Sequence, residues 1–233
     1  MKANVYSHNR LIGTTELQVG DKELRSVFGN LALTDPYYKE LQKSIWQFWA
    51  TKNPDYRIWP SLRLNVQLEN GYFLYPLGGY SIEDRPEQPE ATKKIEFAGL
   101  HKHVIEDYFL QETPRTFVEE PWDKISIAQK LAFEDELNKE IGLTSTPLLK
   151  LFGKGKPKHY LSEFEFSALC KCSNNDDVLF AVRKPKFEHQ FAVIHLTWKG
   201  KKEESSFPEA EFYNDFDEFK YLRMYPDKAE WEY

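Results

Sequence analysis

The chain has 233 residues, 41% hydrophobic, 29% charged and 15% aromatic, and carries 31 Lys and Arg against 37 Asp and Glu for a formal net charge of −6. A chain of this size and composition buries a core without needing disulfides or structural metals. Its pI near 5.6 argues against general nucleic-acid binding, which rests on a basic surplus, and no apolar run approaches the roughly 18 residues of a membrane-spanning helix.

The opening Met1-Lys2-Ala3-Asn4-Val5-Tyr6 lacks the apolar run and small-residue cleavage site of a secretory leader. Val5 to His8 and Leu11 to Val19 predict short strands, broken at Gly13 and Gly20. Asp35-Pro36 predicts a helix start with Asp35 as the N-cap, and Tyr37, Leu41, Ile45 and Trp49 then recur every four residues as its inward face. Leu62, Leu64, Val66 and Leu68 alternate with Arg63, Asn65 and Gln67, the period-two pattern of a half-buried strand. Asn70-Gly71 follows and predicts a tight hairpin into Tyr72 to Leu77, because a primed turn needs residues that tolerate positive φ. Ile82 and Lys94 to Leu100 predict two more strands, and His101 to Leu110 a closing helix.

Gln111 to Trp122 holds two prolines and little periodicity, so the chain is expected to divide into a module of residues 1–112 and a module of residues 113–233. In the second module a helix is expected from Asp123, as its cap, to Ile141, stopped by Gly142 and with Ile127, Leu131, Leu137 and Ile141 inward. A loop with Gly153, Gly155 and Pro157 leads to a strand that puts Tyr160, Phe164, Phe166 and Ala168 on one face. Val178 to Val182 and the apolar run Phe191 to Trp198 predict central strands. Phe212, Phe216 and Phe219 have helical spacing, with Asn214 as the N-cap. The expected fold class is α+β: a first domain of mostly antiparallel strands with an inserted helix, and a second reading helix, three strands, helix, in which helices cover an antiparallel sheet.

Motifs for chemistry are sparse. His101-x-His103 does not place two metal ligands on one helix face, and a solvated helix start is expected there. Cys170 and Cys172, the only cysteines, are too close for a stapling framework and lack the second pair of a zinc site, so buried reduced thiols in a bacterial-type cytoplasm are expected. The lysine-rich loop Lys150 to Lys158 lacks the Gly-Lys-Ser/Thr ending of a nucleotide-binding loop and reads as a solvated connector. His195 lies in an apolar strand and is expected to be a buried structural residue, although a partner such as Asp176, Asp177 or Glu188 would make it a general base. Asp176-Asp177 reads as a turn before a strand. Neither a metal nor a cofactor is expected.

The strongest signal is local. Glu203 to Tyr233 hold ten acids against three bases, a net of −7, interleaved with nine aromatic residues. Charge of one sign speeds encounter with a basic protein, and rings supply contact energy. With Phe212, Phe216 and Phe219 turned inward, the exposed contact residues are expected to be Tyr213, Asp215, Asp217, Glu218, Tyr221 and Tyr225.

Asp176-Asp-Val-Leu-Phe180, then Phe191-Ala-Val-Ile-His-Leu-Thr-Trp-Lys-Gly-Lys-Lys-Glu203, Phe207-Pro208 and Phe212 to Phe219 resemble a group of small bacterial proteins. Leu11-Ile-Gly-Thr-Thr-Glu-Leu-Gln-Val-Gly-Asp21, Phe28-Gly-Asn-Leu31 and Asp35-Pro-Tyr-Tyr38 resemble a second bacterial module. Proteins of this look suggest immunity proteins encoded beside polymorphic toxins. The resemblance implies a cytoplasmic inhibitor that occupies a cognate toxin protein stoichiometrically and has no catalytic residues, while the acidic pI and the lack of a long apolar run lead us to expect neither nucleic acid nor membrane as a partner. A hydrolase-type enzyme and an adaptor or chaperone are the alternative classes.

Overall fold

A computed structural model describes residues 1–143, 159–203 and 207–232. The chain divides into two compact units, Met1–Phe117 and Val118–Tyr233, each an antiparallel sheet with helices, so the fold is α+β. No helix among the described residues is long and apolar enough to cross a membrane.

The first unit opens with β1 (Lys2–Ser7), β2 (Arg10–Glu16), β3 (Gln18–Val19) and β4 (Val27–Leu33). Ala3, Val5 and Ser7 of β1 point inward while Lys2 and Asn4 face solvent, as the pleat requires. The expected Leu11–Val19 strand is broken in two around buried Leu17, and both halves follow β4. Gly29 of β4 permits this bend: a Cβ there would lie 2.7 Å from the Glu16 carbonyl oxygen and closer still to the Thr15 hydroxyl.

After β4 a π-helical turn at Tyr37–Leu41 feeds α1 (Gln42–Ala50), and a single turn, α2 (Ile58–Ser61), follows. Pro36 occupies the N-cap position, and Asp35 makes no cap bond but pairs with Lys39 at 3.0 Å. Phe48, about three helical turns beyond Tyr37, takes the buried position expected of Trp49. Trp49 instead donates its indole N–H to the Ile82 carbonyl at 2.8 Å and lies under the Arg85 guanidinium at 4.6 Å. Tyr37 and Gln42 donate to the buried carboxylate of Asp84 at 2.7 and 3.1 Å, which fastens this helix to the sheet.

β5 (Leu64–Leu68) ends in the expected hairpin: Gly71 has φ +96°, Leu68 N–H donates to the Tyr72 carbonyl, and Leu74 N–H returns to Val66. Beyond it Tyr72 to Leu77 does not form a long strand. Leu77 and Gly78 donate to Gly99 and Ala98 instead, and the chain continues as β6 (Gly79–Glu83) beside β7 (Lys94–Ala98). The sheet order is β5-β1-β2-β4-β7-β6 with β3 beside β4. Residues 72–83 therefore leave one edge strand and join the opposite side of the sheet, which curls it toward closure.

The closing segment is a π-helical turn at Val104–Phe109, and the His pair before it departs from expectation. His101 and His103 are buried at 2% and 8% exposure, their rings stacked 5.9 Å apart against Tyr75 and Tyr72. The positive φ of Gly99 turns the chain inward at this point. Burial, with a smaller push from Arg25, lowers the His101 pKa to about 4.

In the second unit Asp123 lies not at a helix start but on β8 (Trp122–Lys124), whose ladder to Cys172–Cys170 claims the backbone. The helix α3 (Ile127–Glu140) begins three residues later, where Ser126 and Gln129 form a reciprocal capping box, and ends at Gly142 with φ +76°. Phe133 and Leu137 face inward, and so do Lys130, Glu136 and Glu140. The Lys130 ammonium is held by Glu134, Ser167 and the Ala168 carbonyl at 2.5, 2.6 and 3.1 Å. The sheet continues through β9 (Glu165–Cys172), β10 (Asp177–Arg183), β11 (Phe191–His195) and β12 (Ala210–Tyr213), in the order β12-β11-β10-β9-β8. Five strands thus replace the expected three. Phe212 is a strand residue stacked on Phe164 and edge-on to Phe187, not part of the following helix, because Ala210–Tyr213 pairs with β11. Tyr160 is exposed rather than part of the expected inward face. Cys170 and Cys172 are buried free thiols whose pKa values burial pushes up. The Lys150–Lys158 loop lies outside the described residues.

His101 predicts a pH dependence of stability. Its pKa falls from 6.5 unfolded to about 4 folded, so the unfolded chain binds the extra proton between those values. The contribution is complete above pH 6.5 and is lost as pH falls through 4, roughly 3 kcal/mol in all. Urea unfolding at a series of pH values checks this: His101→Gln should flatten the decline between pH 6.5 and 4.

Candidate protein-binding face

After β12 the chain turns at Asn214, and Asp215, not Asn214, caps α4 (Phe216–Phe219) by accepting from Glu218 N–H at 2.9 Å. The Glu218 carboxylate accepts in return from Asn214 N–H, so both acids serve the helix terminus. A π-helical turn at Lys220–Met224 joins α4 to α5 (Tyr225–Trp231). Pro226 brings no N–H to this register and its ring would crowd a regular α turn, which accounts for the widening.

Phe216, Phe219 and Met224 form the inner side of this helix, each no more than 1% exposed, and Phe219 meets the Trp122 ring edge-on at 5.0 Å. Outward stand Tyr221 and Leu222, 68% and 61% exposed, with Tyr225 and Trp231 less so. Tyr221 and Tyr225 sit one turn apart in an edge-to-face pair at 5.4 Å, which holds both rings in place.

An ion network locks the helix to the sheet. Arg223 donates from Nε to Asp227 at 2.9 Å, from Nη2 to Asp177 at 2.6 Å and from Nη1 to Glu211 at 3.5 Å. Burial works against its charge, yet Asp227, Asp177 and Glu211 outweigh it and raise the guanidinium pKa above its ordinary value. Asp227 also accepts from the Trp122 indole at 2.9 Å, and Lys228 pairs with Glu119 at 2.7 Å.

The same network reaches His195. It stands at the exposed end of β11, not inside a buried strand as expected, because the ladder ends there. Its Nδ1 lies 2.9 Å from Asp177 Oδ1, while Asn175 and Arg223 hold the other carboxylate oxygen. Beyond it Trp198 is 46% exposed at φ +56°. Two carboxylates of α3 hold that left-handed turn: Glu140 accepts from Thr197 N–H and hydroxyl and from Trp198 N–H at 2.7–3.0 Å, and Glu136 accepts from Gly200 N–H at 2.6 Å. Burial pushes the Glu140 pKa up, against these bonds. The Trp198 indole donates to Asp176 at 3.1 Å.

Of the six expected contact residues, Asp217, Tyr221 and Tyr225 are exposed on the helix, Asp217 paired with Lys220 at 2.6 Å. Asp215 is exposed but committed to the cap, and Glu218 is half-buried. Tyr213 is no surface residue: it is 1% exposed, because strand alternation on β12 turns it inward opposite Phe191. Its phenol pKa is raised by burial and then by Glu211. Leu222, Arg223, Trp231 and Trp198 escaped the sequence reading as surface candidates, whereas His195 is weighed there as a general base with Asp177 among its partners, the pairing found here. Only the i,i+4 spacing of Arg223 and Asp227 signalled any of these surface candidates.

Comparison of this chain with protein-family models, curated proteins and solved structures finds no match.

Arg223→Ala should destabilise the second unit by about 2–4 kcal/mol, since it leaves Asp177, Asp227 and Glu211 clustered without a counter-ion. Arg223→Lys should lose less, keeping the charge without the fork. Urea midpoints of the two variants measure the difference.

Proposed function

We propose that this chain is a cytoplasmic inhibitor of the immunity type, which neutralises a cognate toxin protein by stoichiometric occupation of a basic surface through the C-terminal helix of its second unit. The observation that carries this reading is the pairing of outward rings with a locked underside. Tyr221, Leu222, Tyr225 and Trp231 face solvent on a helix whose inner side is fixed by three buried side chains and the Arg223 network. Rings held in place lose little freedom on binding, so more of their contact energy remains as affinity. The local net charge of −7 in residues 203–233 selects a basic partner and speeds its approach. Resemblance to small bacterial immunity proteins supplies the toxin as that partner.

One second reading has an observation of its own. The Asp177–His195 bond directs the other imidazole nitrogen outward, the arrangement of an oriented general base in a hydrolase. Among the described residues, cavities of about 420, 460 and 360 Å³ lie over β1 and β2, beside β8, and near residues 83–94, away from this pair.

Surface plasmon resonance against the product of the adjacent gene tests the proposal. Tyr221→Ala and Tyr225→Ala should each weaken binding at least about tenfold, mainly through faster dissociation. Asp217→Lys should slow association at low salt and blunt its salt dependence. Unchanged affinity and kinetics in all three variants would sink the proposal.

A further inference from the structure

The first unit carries a second feature, independent of the helix face. Over the solvent side of its sheet lies a cavity of about 420 Å³, within the size range of small-molecule sites. Two rows of side chains cross four neighbouring strands here. The register places Gln67, Asn4, Thr14 and Ala32 side by side in the first row. Glu69, Lys2, Glu16 and Asn30 form the second, with Lys2 paired to Glu16 across the ladder and to Glu69 through the backbone.

A solvated sheet face needs only scattered polar residues. This one has small side chains, Ala32 and Thr14, where the two central strands meet, and long polar ones around them. Gln67 and Glu69 are anchored by backbone contacts, Gln67 donating to the Gly71 carbonyl at 3.2 Å and Glu69 accepting from Lys2 N–H at 3.1 Å. Among the described residues the side chains of Lys2, Asn4, Thr14, Glu16 and Asn30 make no hydrogen bond or ion pair, so their donors and acceptors remain open toward the cavity.

We propose that this concavity binds a saccharide. Each hydroxyl of a sugar both donates and accepts, and the cavity offers both functions at the cross-strand repeat of about 4.8 Å, close to the width of a pyranose ring. Asn4 and Asn30 amides donate and accept, Glu16 and Glu69 accept, Lys2 donates, and Ala32 offers a flat apolar floor to the C–H face of the ring. Two carboxylates against one ammonium disfavour an anion, and no aromatic ring lines the cavity to stack a nucleobase. Recognition mainly by hydrogen bonds, in a site open to water, implies millimolar affinity. A free sugar and the end of a glycan chain present the same chemistry.

Amide NMR spectra of the ¹⁵N-labelled full chain, titrated separately with glucose, N-acetylglucosamine, cellohexaose and chitohexaose to about 50 mM or their solubility limit, test this. Saturable shifts confined to residues 2–4, 14–16, 30–32 and 67–69 are expected with at least one probe. Tighter binding of a hexamer than of its single ring identifies a glycan chain as the ligand, and equal binding identifies a free sugar. Ala32→Gln, which fills the floor, and Asn30→Ala, which removes an open amide without adding bulk, should each weaken binding at least fivefold in a chain whose spectrum stays dispersed. No saturable shift with any of the four probes, shifts centred elsewhere, or shifts unchanged in both variants would overturn the proposal.

Discussion

The second unit depends on keeping one guanidinium in place among three carboxylates. Arg223 joins α5, β10 and β12 through Asp227, Asp177 and Glu211, while Asp227 carries the connection on to Trp122 of β8. Such a network is a weak source of net stability, because desolvating the ions consumes most of their attraction. The holding energy comes from Phe216, Phe219 and Met224, at about 1.5–3 kcal/mol for each fully buried side chain. What the ions supply is register. Apolar burial tolerates a rotation of the helix about its axis, whereas a forked donor bonded to fixed carboxylates does not. That rotation decides which residues face outward, so the identity of the exposed surface rests on Arg223 even though most of the stability does not.

Charge buried under strict geometric control recurs in this unit. Lys130 is 1% exposed and satisfied by a carboxylate, a hydroxyl and a carbonyl, and burial lowers its pKa against the pull of Glu134. Glu140 and Glu136 do the converse with backbone donors, gathering the amides of Thr197, Trp198 and Gly200. A left-handed Trp costs of order 1 kcal/mol or more, and these bonds offset it. In each case a polar side chain of α3 fixes a specific piece of sheet or loop, which explains why the helix turns Lys130, Glu136 and Glu140 inward where a purely apolar stripe was expected.

Features set by neighbours along the chain were legible in the sequence. The Asn70-Gly71 hairpin, the stop at Gly142 and the inward Phe216 and Phe219 follow from φ tolerance and helical spacing. Features set by a partner strand were not. Asp123 has the chemistry of a cap and is claimed by the β8–β9 ladder; Phe212 has helical spacing and is claimed by β12; Tyr213 then falls on the buried side for the same reason. Two-strand alternatives of three or four residues carry too little periodicity to compete with a helical pattern before the pairing is known. Pro226 marks one of the π-helical turns, whereas a four-residue repeat from Tyr37 drifts off the helical period of about 3.6 and lands on Trp49 where Phe48 is the buried residue.

The division of labour on the helix face follows from the exposure of its members. Asp217 is exposed to water and already shares its charge with Lys220, so at physiological ionic strength its field fades within about 8 Å. It can guide a partner but adds little once contact is made. Tyr221 and Leu222, each more than half exposed, are where water is displaced on contact, and burial of one such side chain is worth about 1.5–3 kcal/mol. The edge-to-face packing of Tyr221 on Tyr225 limits the freedom those rings have left to lose. Affinity on this surface therefore resides in the rings and association rate in the acids, and a partner distinguished by charge alone would arrive quickly and leave quickly.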